Sequence, residues 1–303
     1  MTEKKVSISI GELQQKYGDE QALVIAKEIG ADAVDFSTFG SRFDDRNSSS
    51  VYSRSEDEFC DYFANLKKRA DELGIGIAQT HGRIEGFQND RVADEALVRN
   101  AELDCKAAGI LGAPVCVMHN VTTIFMGADA APSQMHQLNF EMYSKILPFA
   151  KKYGIKIATE TFGDATGLGC CDFFGNINEF VKAYEALCSV KDYADYFTVC
   201  VDTGHSNKAV RYGNPLPADV IRKLGRNTKV LHLNDNDGLI DQHKIPMTGN
   251  IVWEDVFDAL DEVNYQGIYN MELNLSWFGE NFMIETAEFA LKLMRKLLFE
   301  RYG

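Results

Sequence analysis

The stretch VCVDTGHSN, from Val199 to Asn207, combines an apolar run typical of a buried strand with the polar residues that follow it. An apolar run leads into Asp202, and His205 follows three positions later. A second stretch, VLHLNDND (230–237), repeats this pattern with His232 inside the apolar run. Short, nearly continuous apolar runs predict strands that are buried on both faces. These two segments therefore predict two buried strands, each of which ends in polar residues.

Short apolar runs alternate with long amphipathic segments along the whole chain. Eight runs predict strands: VSISI (6–10), AVDFS (33–37), GIAQTH (76–81), PVCVMH (114–119), IKIATE (155–160), TVCVD (198–202), KVLHLND (229–235) and IYNMELN (268–274). The segments between them predict helices, such as 55–74, which opens on serine and acidic residues and closes on glycine. Eight strand–helix units predict an α/β fold, a single (β/α)₈ TIM barrel over residues 1–303. An open, doubly wound sheet is the alternative, but no GxGxxG motif follows any of the predicted strands.

The composition and the net charge of the chain indicate which classes of protein it resembles. Hydrophobic residues make up 45% and charged residues 25% of the chain, as in ordinary soluble domains. The net charge of −14 argues against a nucleic-acid partner, whose affinity would come from basic residues. We expect no signal peptide, because the N-terminal MTEKKVSISI has no long apolar region, and no membrane segment, because no apolar run approaches the ~18 residues of a membrane span. The seven cysteines form no CxxC pattern and predict reduced thiols and a cytoplasmic location.

Polar residues stand at the carboxyl ends of the predicted strands, where barrels of this architecture carry their active sites. They are Asp35, His81, His119, Glu160, Asp202, His232 and Glu272. The last six follow one another at intervals of about 30 to 42 residues, close to one strand–helix unit each. We therefore expect them to converge on one mouth of the barrel.

Each of these residues also has a purely structural interpretation. A histidine in an apolar run, such as His119, is often a hydrogen-bonded core residue, and a strand-end aspartate such as Asp202 often caps the next helix. Several carboxylates in one mouth, however, would repel one another unless a cation lay among them. One divalent metal ion is therefore predicted at Glu160, Asp202, His232 and Glu272. Three oxygen ligands and one nitrogen favour Mn²⁺, with Mg²⁺, Co²⁺ and Zn²⁺ as alternatives.

Further residues are candidates for substrate binding. Loops after the strands commonly reach over a bound substrate, and aromatic side chains can wall a pocket. The candidates are His205, His81, His119, His243, Asp35 and Phe36. The polar segment 41–58 is a candidate lid, with solvated surface as the alternative. A phosphate group on the substrate would need basic residues at the mouth, for which the loop candidates are Arg83, Lys208, Arg211 and Lys244.

These motifs resemble the xylose isomerase-like TIM barrel superfamily, and most closely its sugar phosphate isomerase/epimerase branch, which includes the D-tagatose 3-epimerase type. The resemblance rests on IATET with Glu160, VDTGH with Asp202, LHLNDNDG with His232 and YNMELN with Glu272. It implies that these four residues hold one divalent metal ion and that Glu160 and Glu272 are the catalytic residues. It also implies that His205 contacts oxygen atoms of a sugar or sugar phosphate, and that the protein forms a homodimer or homotetramer.

The chemistry implied by this resemblance is proton transfer at carbon. A metal ion that bridges a carbonyl and a neighbouring hydroxyl oxygen acidifies the C–H between them and stabilises a cis-enediolate. A carboxylate can then accept the proton, if its surroundings bring its pKa towards neutrality. Returning the proton to the neighbouring carbon isomerises the sugar, whereas returning it to the opposite face epimerises it. We therefore expect an isomerase, either a ketose epimerase or an aldose–ketose isomerase.

Two alternatives remain open. The superfamily also contains the endonuclease IV type of apurinic-site nuclease, which uses three zinc ions. Its further ligands are matched here by His81, His119, His205, Asp241 and His243. Against it, THGRIEGFQND lacks the tyrosine and asparagine pattern of that enzyme after its first histidine, and Gly204 replaces a cysteine of its signature. The other alternative is a non-catalytic carbohydrate-binding relative, which the intact set of both glutamates and the other two ligands disfavours.

Overall fold

The computed structural model describes residues 4–44 and 49–303. The strands of this part of the chain are β1 (Val6–Ser9), β2 (Ala33–Ser37), β3 (Gly76–His81), β4 (Val115–Met118), β5 (Lys156–Glu160), β6 (Asp164–Ala165), β7 (Cys170–Cys171), β8 (Phe197–Asp202), β9 (Thr228–His232) and β10 (Tyr269–Met271). β6 and β7 form a small antiparallel hairpin, and the other eight strands form one parallel sheet in the order β10-β1-β2-β3-β4-β5-β8-β9. These eight are the strands that the sequence predicts; the hairpin was not predicted.

The sheet closes on itself between β9 and β10. An isolated parallel bridge joins Leu233 to Met271. The Leu233 N–H donates to the carbonyl oxygen of Asn270 at 2.9 Å, and the Glu272 N–H donates to that of Leu233 at 3.3 Å. The predicted (β/α)₈ TIM barrel is therefore confirmed.

Helices follow the barrel strands. They are α1 (Gly11–Tyr17), α2 (Asp19–Glu28), α3 (Glu56–Leu73), α4 (Arg91–Leu111), α5 (Thr123–Met126), α6 (Pro132–Tyr153), α7 (Ile177–Cys188), α8 (Thr203–Ala209), α9 (Pro217–Leu224), α10 (Trp253–Glu262) and α11 (Met283–Tyr302). α3 begins and ends as its sequence predicts. Ser55 and Glu58 form a capping box at its start, and Gly74 ends it in the left-handed conformation, with φ 63°.

A small apolar cluster fills the barrel below its carboxyl end. It consists of Val115, Val117, Ala158, Cys200 and Val230. Because side chains alternate along a strand, residues two positions further on leave the barrel on the same inner face. Glu160 follows Ala158 in this way, and His232 follows Val230. The strand pleat therefore directs the polar strand ends into one mouth, above an apolar plug.

The structure describes part of the candidate lid, and its helices can be compared with the length of a membrane span. The candidate lid 41–58 includes residues 45–48, which lie outside the described residues. None of the helices within the described ranges combines the length and the apolar composition that crossing a bilayer requires.

Candidate active site

The four predicted metal ligands lie together at the carboxyl end of the barrel. Glu160 ends β5, Asp202 ends β8, His232 ends β9 and Glu272 follows β10. One ligand atom from each lies within 4.8 Å of those of the other three. Neighbouring strands of the barrel thus bring three carboxylates and one imidazole into a space of the size that a single ion needs.

His232 is at the centre of this group. Its Nδ1 lies 3.2 Å from Oε2 of Glu160 and 3.1 Å from Oε2 of Glu272. Both ring nitrogens of His232 and both carboxylate oxygens of Glu160 are buried and form no hydrogen bond. Buried polar atoms without partners are costly, and more so when they carry charge. A divalent cation would satisfy Nδ1 of His232 and the oxygens of Glu160, whereas Nε2 of His232 faces Asp35, so the residues present fit the predicted metal ion.

Asp202 has a structural role as well as a place among the ligands. Its Oδ1 accepts a hydrogen bond from the backbone N–H of His205 at 2.6 Å and thereby caps α8. Its Oδ2 accepts from Nδ2 of Asn234 at 2.7 Å. A carboxylate has several lone pairs, so capping does not prevent metal binding. Burial raises the pKa of Asp202; the charge of His205 opposes this rise, and that of Glu160 reinforces it.

Asn234 is a further residue of the site that the sequence motifs do not single out, although it lies in the segment VLHLNDND. It fills the space above Gly204, where an added Cβ would lie 1.9 Å from Oδ1 of Asn234. The glycine in DTGH therefore has a packing reason: it leaves room for the amide that orients Asp202. Only this close approach, and no local pattern, identifies the pair.

His81 and His119 also lie next to Glu160, and the ring of His81 stacks on that of His232 with 5.2 Å between the ring centroids. Nε2 of His81 is 3.6 Å from Oε2 of Glu160 and 3.6 Å from Oε1 of Glu272. Nε2 of His119 is 3.4 Å from Oε2 of Glu160. His81, His119 and Glu160 form a second group whose ligand atoms could hold a metal ion.

A third group lies at the rim of the mouth and centres on Asp241. Its Oδ2 is 3.3 Å from Nε2 of His205 and 3.3 Å from Nε2 of His243. The other ring nitrogens face inward: Nδ1 of His205 lies 3.1 Å from Oε1 of Glu160, and Nδ1 of His243 lies 3.7 Å from Oε2 of Glu272. One carboxylate thus connects two imidazoles that face the two predicted catalytic glutamates.

The electrostatics of the centre follow from this crowding. Burial raises the pKa of Glu160, but the imidazoles of His232 and His119 outweigh burial and hold it well below its ordinary value. Burial lowers the pKa of His232, whereas the nearby Cys200 and Glu272 raise it well above its ordinary value. In the metal-free protein, the charged forms of His232 and Glu160 thus stabilise each other, whereas burial lowers the pKa of His119. An ion that binds His232 must displace any proton on the nitrogen that it uses.

Two of the substrate-binding candidates, Asp35 and Phe36, are buried on β2. Asp35 lies below His232 and not at the open mouth; it is 1% exposed, and its Oδ2 is 3.2 Å from Nε2 of the imidazole. Phe36 is the next residue on β2, so its side chain leaves the opposite face of the strand. It is 1% exposed and packs within the main apolar core, on the face of β2 opposite to that of Asp35.

The phosphate-binding candidates have other partners. Nε of the buried Arg83 is 2.7 Å from Oδ2 of Asp104. Lys208 and Arg211 both pair with Asp164, at 2.7 and 2.6 Å. The fourth candidate, Lys244, stacks over the ring of Trp277, with Nζ 5.4 Å from the ring centroid. Three of these four cations are therefore already paired with carboxylates.

Comparisons with known proteins agree with the barrel. The model of the family described as xylose isomerase-like TIM barrel matches residues 23–297. A solved D-tagatose 3-epimerase-like protein has a TM-score of 0.71 and 20% identity, covering 99% of this chain and 100% of that one. D-psicose 3-epimerase with D-tagatose, from Clostridium cellulolyticum H10, has a TM-score of 0.74 and 15% identity, over 97% and 99%. The IOLI protein with a bound zinc atom has a TM-score of 0.68 and 16% identity, over 99% and 99%.

Two curated relatives match by sequence over a shorter region. Uncharacterized protein y4fM of Sinorhizobium fredii is 25% identical over 166 residues, 54% of this chain and 49% of that protein. Uncharacterized protein MJ1311 of Methanocaldococcus jannaschii is 30% identical over 143 residues, 46% of this chain and 44% of that protein. The match spans about half the length of these relatives.

Proposed function

The chain belongs to the xylose isomerase-like TIM barrel family, and on that premise we propose that it is a divalent-metal-dependent isomerase or epimerase of a sugar or sugar phosphate. The observation that carries the proposal is the converging set of Glu160, Asp202, His232 and Glu272. The buried atoms without hydrogen bonds in this set are what an ion would satisfy. Similar folds whose names include a D-tagatose 3-epimerase-like protein and a D-psicose 3-epimerase support the choice of a sugar substrate.

The ion would be held by these four residues, and Mn²⁺ is the first choice for their oxygen-rich set. When bound, it would polarise a carbonyl and a neighbouring hydroxyl group and acidify the C–H between them. We assign the proton transfer, through a cis-enediolate, to Glu160 and Glu272. These glutamates belong to strands on opposite sides of β9 in the barrel order, and both reach His232 Nδ1. The two carboxylates could therefore serve opposite faces of a substrate carbon.

The histidines around the carboxylates would orient the sugar. We assign substrate contacts to His81, His119, His205 and His243, whose rings surround the two glutamates. Ring N–H groups of this kind can donate to the hydroxyl and carbonyl oxygens of a sugar. Asp241 would keep His205 and His243 in position, because its Oδ2 lies 3.3 Å from Nε2 of each ring.

A second candidate function follows from the two further histidine groups. His81–His119–Glu160 and His205–Asp241–His243 could each hold an ion beside the four-residue set. Three ions would correspond to the endonuclease IV-like apurinic-site nuclease. Gly204, which stands where the nuclease signature has cysteine, and the net charge of −14 favour the sugar enzyme.

Metal content and proton exchange test the proposal together. The protein would be purified without added metal or chelator, and its ions counted by elemental mass spectrometry. It would then be incubated in D₂O with a panel of ketoses, aldoses and their phosphates, and with a DNA duplex containing an abasic site. We expect a bound divalent ion, deuterium incorporation at a carbon next to a carbonyl, and formation of an isomer or epimer.

The other outcomes point to the alternatives. Cleavage of the abasic duplex by a protein with three zinc ions would replace the proposal with the nuclease. Binding of a sugar without deuterium incorporation into any sugar of the panel would indicate the non-catalytic relative.

A further inference from the structure

Lys208 is a buried ammonium group beside the site. Its side chain is 3% exposed, and Nζ lies 2.7 Å from Oδ1 of Asp164 and 3.3 Å from Oδ1 of Asp241. A buried lysine is tolerated when carboxylates pair with it. Here the two carboxylates come from different segments: β6, in the hairpin, and the loop after β9. Lys208 therefore connects the hairpin to the rim of the mouth.

The position of Lys208 is fixed by close backbone packing. α8 carries both His205 and Lys208, three residues apart and hence on the same side of the helix. Gly163 packs against this helix, and a Cβ on Gly163 would lie 2.8 Å from the carbonyl oxygen of His205 and 3.2 Å from Cβ of Lys208. Asp164 follows directly and also pairs with Arg211 at 2.6 Å. The ammonium is thus held where it faces Asp241.

Asp241 is shared between Lys208 and two histidines. Its Oδ1 faces Lys208, and its Oδ2 faces His205 and His243, each at 3.3 Å. The atoms of His205, Asp241 and His243 are close enough to hold a metal ion. A divalent ion at Asp241 would, however, lie beside the fixed positive charge of Lys208, and like charges at such distances repel strongly in a partly buried site.

We infer that Lys208 is a specificity-determining cation, which occupies Asp241 and keeps the His205–Asp241–His243 group free of metal. The two histidines then remain hydrogen-bonding groups whose Nδ1 atoms face Glu160 and Glu272. A metal ion bound by Asp241 and the two Nε2 atoms would break the direct contacts by which Asp241 positions both rings. The inference deepens the proposed function and rests on it, because it presumes an ion at the four-residue set and a substrate above it.

The test compares the metal content of the wild-type protein with that of Lys208→Met. Each protein is stripped with a chelator, dialysed against equal free Zn²⁺ or Mn²⁺, and analysed by elemental mass spectrometry, with calorimetric titration of the same samples. We expect Lys208→Met to bind one more Zn²⁺ ion per chain than wild type, with an affinity for that ion at least about tenfold higher. Lys208→Arg keeps the charge and should match wild type. The double variant Lys208→Met/Asp241→Asn should lose the additional ion.

The possible results separate this inference from the proposed function. Equal ion counts in folded Lys208→Met and wild type would overturn the inference, as would a third ion bound by wild type with Lys208 in place. A wild-type protein that binds no ion would overturn the proposed function, whereas a gain of one ion in Lys208→Met would still support the role of Lys208. Circular dichroism monitors folding. If Lys208→Met does not fold, Lys208→Gln carries the same expectation, and the wild-type count tests the inference without any variant.

Discussion

Oδ2 of Asp35 lies 3.2 Å from Nε2 of His232, while Nδ1 of the same ring faces the glutamates. Asp35 is itself held by hydrogen bonds from Oγ of Ser9 at 2.8 Å and Nε2 of Gln79 at 3.1 Å. A carboxylate in this position fixes the orientation of a metal-binding imidazole and selects the nitrogen that faces the ion. β1, β2 and β3 thus support a ligand that belongs to β9.

Asp35→Asn should weaken metal binding without unfolding the barrel. An amide no longer holds the imidazole by charge, so we expect the affinity for Mn²⁺ to fall about 10- to 100-fold. Calorimetric titration of the metal-free protein measures this. Asp129→Asn, at an exposed position, is the matched control and should leave the affinity unchanged. Unchanged affinity in Asp35→Asn would show that packing alone orients His232.

Glu272→Gln should abolish turnover and leave the fold intact. The amide cannot accept a proton from carbon, and general-base catalysis typically contributes 10²- to 10⁴-fold, so kcat should fall by about that factor or more. Epimer formation by the first sugar that the protein turns over is the measurement. Glu280→Gln, at an exposed position, is the control. Substantial activity in Glu272→Gln, at full metal occupancy, would remove Glu272 from the mechanism.

Gly204→Ala should destabilise the protein by about 1–3 kcal/mol, the usual cost of overpacking. The added Cβ would lie 1.9 Å from Oδ1 of Asn234, which must move and release Asp202. Urea unfolding measures the cost, and a metal titration should show weaker binding. Gly40→Ala is the control, because nothing lies within 4 Å of a Cβ there. Equal stability of the two variants would contradict the packing argument.

Arg83→Met should be one of the most damaging single changes away from the site. The guanidinium and the carboxylate of Asp104 are fully buried, at 2.7 Å, and removal of one buried partner typically costs about 3–5 kcal/mol. Arg91→Met removes a pair of similar length, 3.1 Å, whose side chains are 81% and 63% exposed, and should cost less than about 1 kcal/mol. Urea unfolding of both variants gives the comparison. Similar losses would mean that burial of the ion pair does not set its contribution.

His243 should make the metal-free protein less stable as the pH rises. Burial lowers its pKa, but Asp241 and Glu272 outweigh burial and raise it from 6.5 to about 9. A raised folded-state pKa stabilises the protein fully below pH 6.5, and this contribution disappears as the pH rises through 9. The free energy of unfolding of wild type should therefore exceed that of His243→Gln by more below pH 6.5 than above pH 9. A difference independent of pH would contradict the assignment.

The barrel and the convergence of its polar strand ends could be predicted from the sequence, because both follow from local rules. Strand period and apolar content fix which side chains enter the barrel, and the length of a strand–helix unit brings Glu160, Asp202, His232 and Glu272 to the same level. The same alternation places Phe36 on the face of β2 opposite to that of Asp35, which reaches His232 inside the barrel.

The partners of the polar side chains could not be predicted in the same way. Lys208 meets Asp164 and Asp241 across two loops, and Arg83 meets Asp104 on a helix, so packing between distant segments sets both contacts. The sequence alone does not distinguish Lys208 and Arg83 from basic residues that are free at the mouth of the barrel. The small β6–β7 hairpin brings Asp164 to Lys208. Its strands have 2 residues each, which is too short for the alternation of apolar and polar residues that identifies a strand in a sequence.

The closure of the barrel gives the metal ion a mechanical consequence. β9 and β10 are joined through Leu233, which follows His232, and through Met271, which precedes Glu272. β10 in turn pairs with β1, so the β9–β10 joint completes the ring of strands. An ion bound by both His232 and Glu272 would therefore link β9 to β10, so that metal binding at the active site would also stabilise the closed barrel.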